Sequence, residues 1–319
     1  MIRSLLALSV IALVAVVLAL AIGSVTISPT ELWAVLQDKG SVLHSTLLWE
    51  LRLPRTLAAF ATGGLLAVAG ALMQVLLRNP LADPYVLGLS GGAAVGALLA
   101  MLSGMGALLI SGSAFAGAML ATLLVFGLAH GTSSWTASRL LLTGVVVAAG
   151  WGAVITLILA LTPSYKLPGM LYWLMGDVSY ARTPWPALLV LAVAIVVIIP
   201  LARNLNVLAR GAMQAAALGV SVRPLEWTIY LLASLLTATA VTSAGSIGFV
   251  GLIVPHMLRL VLGNDQRIIL PASALAGGTL LVLADTLART VIAPEQLPVG
   301  VITALLGVPT FLYLLHRSR

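Results

Sequence analysis

The stretch LRLPRTLAAFATGGLLAVAGALMQVLLRNPLADP, Leu51 to Pro84, passes through three environments within thirty-four residues. Arg52 and Arg55 precede an uncharged run from Thr56 to Leu77, and Arg78 opens a short polar turn beyond it. About twenty apolar residues in a helix cross a hydrocarbon core of roughly 30 Å. The stretch therefore reads as outer loop, membrane helix and inner turn, and it orients the rest of the chain.

Of 319 residues, 61% are hydrophobic and 8% charged, and the mean hydropathy is +1.14. A soluble domain carries about a quarter charged residues, so this is an integral membrane protein. Its length allows roughly eight to ten spans with short connections, organised as one transmembrane unit over residues 1–319. The sixteen basic residues are scattered singly between apolar runs. That pattern sets topology and forms no patch for nucleic acid. Cysteine is absent, which excludes a disulfide framework, a thiolate metal site and a cysteine nucleophile. The apolar run from Leu5 to Ile22 exceeds the 7–15 residues of a signal-peptide core, which favours an uncleaved first span over a cleaved leader.

Apolar segments fall near Leu5–Ile22, Thr56–Leu77, Val86–Leu102, Ala107–Leu128, Leu140–Leu161, Pro186–Leu201, Leu225–Val241, Ile247–Leu262, Ile268–Leu287 and Val299–Leu315, ten in all. An even number puts both termini on one face. With that face cytoplasmic, ten basic residues lie inside and six outside, as the positive-inside rule requires. The six are Lys39, Arg52, Arg55, Lys166, Arg182 and Arg289. Topology does not require these outer arginines, and they need another reason to be there.

Three connections exceed a simple turn. In Gly23–Leu53, Ser28 can cap a helix with Pro29 at its first position and Glu31 three residues on. Thr162–Pro184 carries Tyr172, Trp173 and Tyr180, with Trp185 just beyond, aromatic residues suited to a membrane interface. On the cytoplasmic face, RNLNVLARGAMQAAALGVSVRP, Arg203 to Pro224, has good helix formers from Gly211 to Leu218 and a stop at Gly219. It predicts an amphipathic surface helix, either a connector or a partner-docking element.

Glycines cluster in and beside the spans. Gly144, Ala148, Gly152 and Thr156 recur every four residues, a small-residue face that serves close helix packing or lines a pathway. The segment SAGSIGFVGLIVPH, Ser243 to His256, predicts a broken helix. Non-helical backbone at membrane depth is tolerated only against protein or a water-filled cavity.

The chemistry that is missing is equally informative. No charged residue falls near the middle of a span, which disfavours an ion-coupled carrier. Asp285 lies near an outer end, placed for an i,i+4 ion pair with Arg289. Only Lys39 and Lys166 are lysines, and neither completes a phosphate-binding loop. His44, His130, His256 and His316 share no metal-site spacing. No nucleophile, base and orienting group can be assembled, so membrane enzyme is the weakest class, behind a secondary carrier and a scaffolding subunit.

The ordered stretches LRLPR at 51–55, RNPLADP at 78–84, SRLLLTG at 138–144, YWLMGD at 172–177, AALGV at 216–220, GFVGLIVPHMLR at 248–259 and QLPVG at 296–300 carry a resemblance. The chain resembles, over nearly its whole length, the FecCD permease subunits of type II ABC importers for iron-siderophores, haem and vitamin B12. The resemblance implies an all-α subunit of about ten transmembrane helices in a bacterial cytoplasmic (inner) membrane, working as a homodimer. Two cytoplasmic ATPase subunits would hold ATP and Mg, so this chain would bind no cofactor itself. A soluble binding protein would dock outside and deliver the cargo. By the same resemblance Arg52, Arg55 and Arg289 would meet acidic residues of that binding protein. Gln214, Ala215, Ala216, Ala217, Leu218 and Gly219 would contact the ATPase. Ala137 and Ser138 would stand at the cytoplasmic gate, and Gly144, Ala148 and Gly152 would line the pathway with Ala137. Which of the three cargoes is carried stays open.

Overall fold

A computed structural model describes residues 2–23, 25–129, 137–181 and 183–317. Among the described residues every regular element is a helix. In order these are α1 (Ile2–Ala21), α2 (Pro29–Leu36), α3 (Val42–Thr46), α4 (Leu53–Leu76), α5 (Leu89–Leu102), α6 (Ala107–Ala129), α7 (Ala137–Leu161) and α8 (Leu167–Met175). They continue as α9 (Trp185–Ile198), α10 (Ala202–Leu208), α11 (Ala212–Ala217), α12 (Val222–Ala244), α13 (Val250–Leu262), α14 (Gln266–Thr290) and α15 (Val299–Arg317). Each of the ten apolar segments forms a helix. Seven helices are long and apolar enough to cross a membrane, and Leu89–Leu102, Val250–Leu262 and Val299–Leu314 are shorter apolar helices.

Helix α4, the heart of Leu51–Pro84, is the hub. Nineteen of its twenty-four residues are buried, and it packs against α14, α12, α13 and α9. Lipid is as apolar as leucine, so helices in a membrane associate through close backbone approach and dispersion. The sequence of α4 supplies that approach. A Cβ on Gly63 would lie 2.2 Å from the Gly277 carbonyl of α14, and one on Gly70 would lie 1.8 Å from the Gly251 carbonyl of α13. No rotamer relieves a backbone clash. Gly70→Val is therefore expected to cost about 3 kcal/mol, the upper end for overpacking, read as a lowered apparent unfolding temperature in detergent; an unchanged midpoint would count against this packing.

Two connections show local chemistry deciding geometry. At the start of α2 the Glu31 N–H donates to Ser28 Oγ (3.3 Å) and the Ser28 N–H to Glu31 Oε2 (2.8 Å). This is the expected capping box, and the Ser28 bonds hold the Glu31 carboxyl below its ordinary value. In the RNPLADP turn Asp83 caps the short 3-10 helix Pro84–Leu87 by accepting from the Tyr85 N–H at 2.8 Å. Burial nevertheless pushes the Asp83 carboxyl up to about 6.

The expected helix break falls between α12 and α13, where Gly245 and Phe249 take φ of 68° and 70°. Backbone groups at the break find protein partners, the condition for interrupted structure within a membrane. The Ile247 N–H donates to the Tyr85 hydroxyl (3.2 Å), and the Asp177 N–H donates to the Ala244 carbonyl (2.8 Å). Beside the break, the Gly300 N–H at the start of α15 donates to the Gly176 carbonyl at 3.1 Å.

Candidate functional site

The outer arginines converge on one another. Arg55, in the first turn of α4, donates through Nη2 and Nε to Asp285 of α14 at 2.9 and 3.1 Å. Its Nη1 donates to Gln296 Oε1 at 2.7 Å, and Nη2 stands 3.7 Å from Asp177 Oδ1. Arg289 reaches the other carboxylate oxygen of Asp285 at 3.1 Å, the expected i,i+4 ion pair. Asp285 is 1% exposed. One buried carboxylate is thus held between two guanidinium groups, and the knot joins α4, α14, the α8–α9 connection and the α14–α15 loop.

Arg52 does different work. Its guanidinium donates to the carbonyls of Leu20 (2.7 Å), Ala21 (3.0 Å) and Val25. The last carbonyls of a helix lack partners within it and carry partial negative charge, so Arg52 caps α1. The resemblance implies that all three arginines meet acidic residues of a partner. In this chain Arg52 and Arg289 are only 6% and 8% exposed; Arg52 is drawn inward by the carbonyls at the end of α1, and Arg289 by Asp285 one turn away and by the Ala19 carbonyl. Arg55 is half-buried at the rim of a cavity of about 450 Å3 that Leu47, Glu50 and Ser179 also line. Arg182 lies outside the described residues.

On the opposite side, α11 is a six-residue helix ended by a Schellman motif. The Val220 N–H donates to the Ala215 carbonyl and the Gly219 N–H to that of Ala216, both at 3.0 Å, with Gly219 at φ 81°. Gln214, Ala216, Ala217, Leu218 and Gly219 are exposed, whereas Ala215 faces inward, fully buried. Met213, not among the anticipated contacts, is 88% exposed, and Leu218 is 71% exposed. Two large apolar side chains are thus left open on this short segment.

The anticipated pathway residues separate. Gly144 is buried, and a Cβ there would meet the Val86 carbonyl at 2.2 Å, a packing contact. Ala148 is half-buried, and Gly152 is exposed with open space before it. Ser138 is exposed in the first turn of α7, whose backbone begins at Ala137; the Ala137 side chain lies outside the described residues. A second apolar wall, absent from the sequence reading, is built by Val301, Ala304, Leu305 and Val308 of α15 with Met175 of α8 around a cavity of about 550 Å3. Among the described residues no cluster of His, Asp or Glu could hold a metal ion.

Comparison with known proteins bears on the whole chain. The FecCD transport family matches residues 11–317. The chain is 41% identical over 308 residues to the vitamin B12 import system permease protein BtuC of Vibrio cholerae, covering 95% of this chain and 90% of that protein. It is 39% identical over 307 residues to the hemin transport system permease protein HmuU of Yersinia pestis, covering 93% and 90%. Among solved structures, it is similar to a chain described as a metal-chelate type ABC transporter in an inward-facing conformation. The TM-score is 0.88 at 29% identity, covering 99% of this chain and 100% of that one.

Proposed function

The chain belongs to the FecCD transport family, and from that premise we propose that it is the multi-pass permease through which an ATP-driven importer moves a metal-chelate compound across the bacterial inner membrane. Cobalamin, haem and ferric siderophores form the cargo class. The observation that carries this reading is the end-to-end structural match to a metal-chelate type ABC transporter, at TM-score 0.88. The chain has no phosphate-binding loop of its own, so ATP hydrolysis falls to separate ATPase subunits, which would bind ATP and Mg.

The finer assembly follows from the faces the fold leaves open. Met213, Leu218 and the exposed small residues of the 211–219 segment suit a flush contact with an ATPase on the cytoplasmic side. Two copies of the chain would enclose a pathway walled by α7, α8 and α15. Gly152, Ala304 and Val308 offer small or apolar groups there, which let a bulky chelate pass without holding it. A soluble binding protein would deliver the cargo to the outer face. Around the arginine knot, Arg52 and Arg289 would keep that face in shape while Arg55 presents the accessible charge, setting orientation and on-rate more than affinity. Both termini would be cytoplasmic.

Reconstitution into liposomes with the cognate ATPase and binding protein tests this reading. Uptake of cobalamin, haem or a ferric siderophore should require ATP hydrolysis and fall to background when either partner is omitted. Uptake by this chain alone, collapsing with an uncoupler at constant ATP, would make it a secondary carrier instead.

A further inference from the structure

The RNPLADP turn takes no part in the function proposed above, yet it borders a basic cavity. Arg78, Asn206, Arg210, Arg259, Asp265 and Gln266 line a space of about 600 Å3 where the ends of α4, α10 and α13 meet the start of α14. Three guanidinium groups face one carboxylate there. The Asp265 carboxyl is held below its ordinary value by the Asn206 amide, which donates to it at 2.8 Å. Its charge is therefore already committed within the wall, and the pocket keeps a positive excess.

The arginines divide into a base and a rim. Arg259 is fixed, donating to Gln74 Oε1 and to the Ala71 carbonyl (3.2 Å), so its charge stays in the cavity floor. Arg78 and Arg210 are exposed, and among the described residues neither guanidinium group is hydrogen-bonded or within salt-bridge distance of a carboxylate, although the charge of Arg78 is felt by Glu226. Arg78 also holds a left-handed backbone, φ 49°, that a non-glycine residue rarely adopts and that is associated with functional sites. Gln266, 2% exposed, has its side-chain oxygen buried without a hydrogen-bond partner. Amide oxygen and nitrogen are interchangeable by a flip, and the flipped group would bring an N–H to the same place.

We infer that this pocket seats the phosphate group of an anionic phospholipid from the adjoining leaflet. Guanidinium forks match phosphate oxygens in charge and geometry. Basic pockets between helix ends on the cytoplasmic side are suited to lipid headgroups. Leu260 and Val261, following Arg259 on α13, are 64% and 79% exposed and give the acyl chains an apolar wall beside the headgroup. The assignment of the pocket to the cytoplasmic leaflet rests on the orientation proposed above.

The test uses the full-length chain in detergent, without ATPase or cargo, so it can fail while the import reading stands. Phosphatidylglycerol added to the micelles should raise the apparent unfolding temperature and remain attached in native mass spectrometry, whereas phosphatidylcholine should do neither. The double variant Arg78→Ala, Arg210→Ala removes the two rim charges and should weaken phosphatidylglycerol binding about 30-fold, while Arg203→Ala, outside the pocket, should not. Equal effects of the two lipids, or full binding by the double variant, would overturn the inference. Saturation by inorganic phosphate with no further effect of phosphatidylglycerol would overturn the lipid assignment in favour of a soluble anion.

Discussion

Asp285→Ala should lower stability by about 3–5 kcal/mol, the cost of breaking a buried ion pair by removing one partner. The carboxylate is almost wholly buried and stands between Arg55 and Arg289 at 2.9 and 3.1 Å. Without it, two guanidinium groups face each other in a site that solvent hardly reaches, and Arg55 keeps only Asp177 and Gln296. Asp285→Asn preserves shape but not charge, and should be nearly as harmful. The double variant Asp285→Leu, Arg289→Met removes one charge of each sign and should recover most of the loss, since a buried pair replaced by apolar groups is often neutral. Denaturation in detergent reads all three. A single alanine variant within about 1 kcal/mol of the parent would place the pair among surface bridges of little worth.

The second large effect is on transport. Gly219→Val places a β-branched residue at φ 81°, where the left-handed region costs an L-residue roughly 1–2 kcal/mol. No neighbouring atom obstructs the side chain, so the strain is in the backbone alone. The segment relieves it by giving up the Schellman bonds of Ala215 and Ala216, which moves Leu218 and Met213 together. Coupled uptake in the reconstituted system should fall about tenfold or more if that strain is spent on leaving the docked geometry. The overall unfolding temperature should change little, and residual ATP hydrolysis should persist. Normal uptake would detach this turn from energy coupling.

How far the sequence reveals these features depends on the range of the interactions behind them. The seven long apolar helices and the three shorter ones were legible because each is written in an apolar run, and the Ser28 cap and the Asp285–Arg289 pair because both lie within four residues. The partners of Arg52 and Arg55 were not. Arg55 and Asp285 are 230 positions apart, and only the packing of α4 on α14 brings them together. The inward turn of Ala215 was hidden because a run of alanines carries no phase. The small-residue face of α7 was over-extended for a geometric reason. Four-residue steps drift around a helix of 3.6 residues per turn, so Gly144 and Gly152 point about 80° apart. One therefore packs on Val86 while the other faces open space.

The capping of α1 by Arg52 bears on how the protein is made. Helix α1 is largely exposed, and what it buries, Ala12, Ala15 and Ala19, is slight. It packs chiefly on α14, and the Arg289 guanidinium donates to its Ala19 carbonyl at 3.4 Å. Helix α1 is thus secured in part by a residue 270 positions further along the chain. Until α14 has been synthesised and inserted, α1 is held only by the Arg52 bonds and by its slight packing on α4 and the segment before it. The packing of α1 is complete only once α14 has arrived.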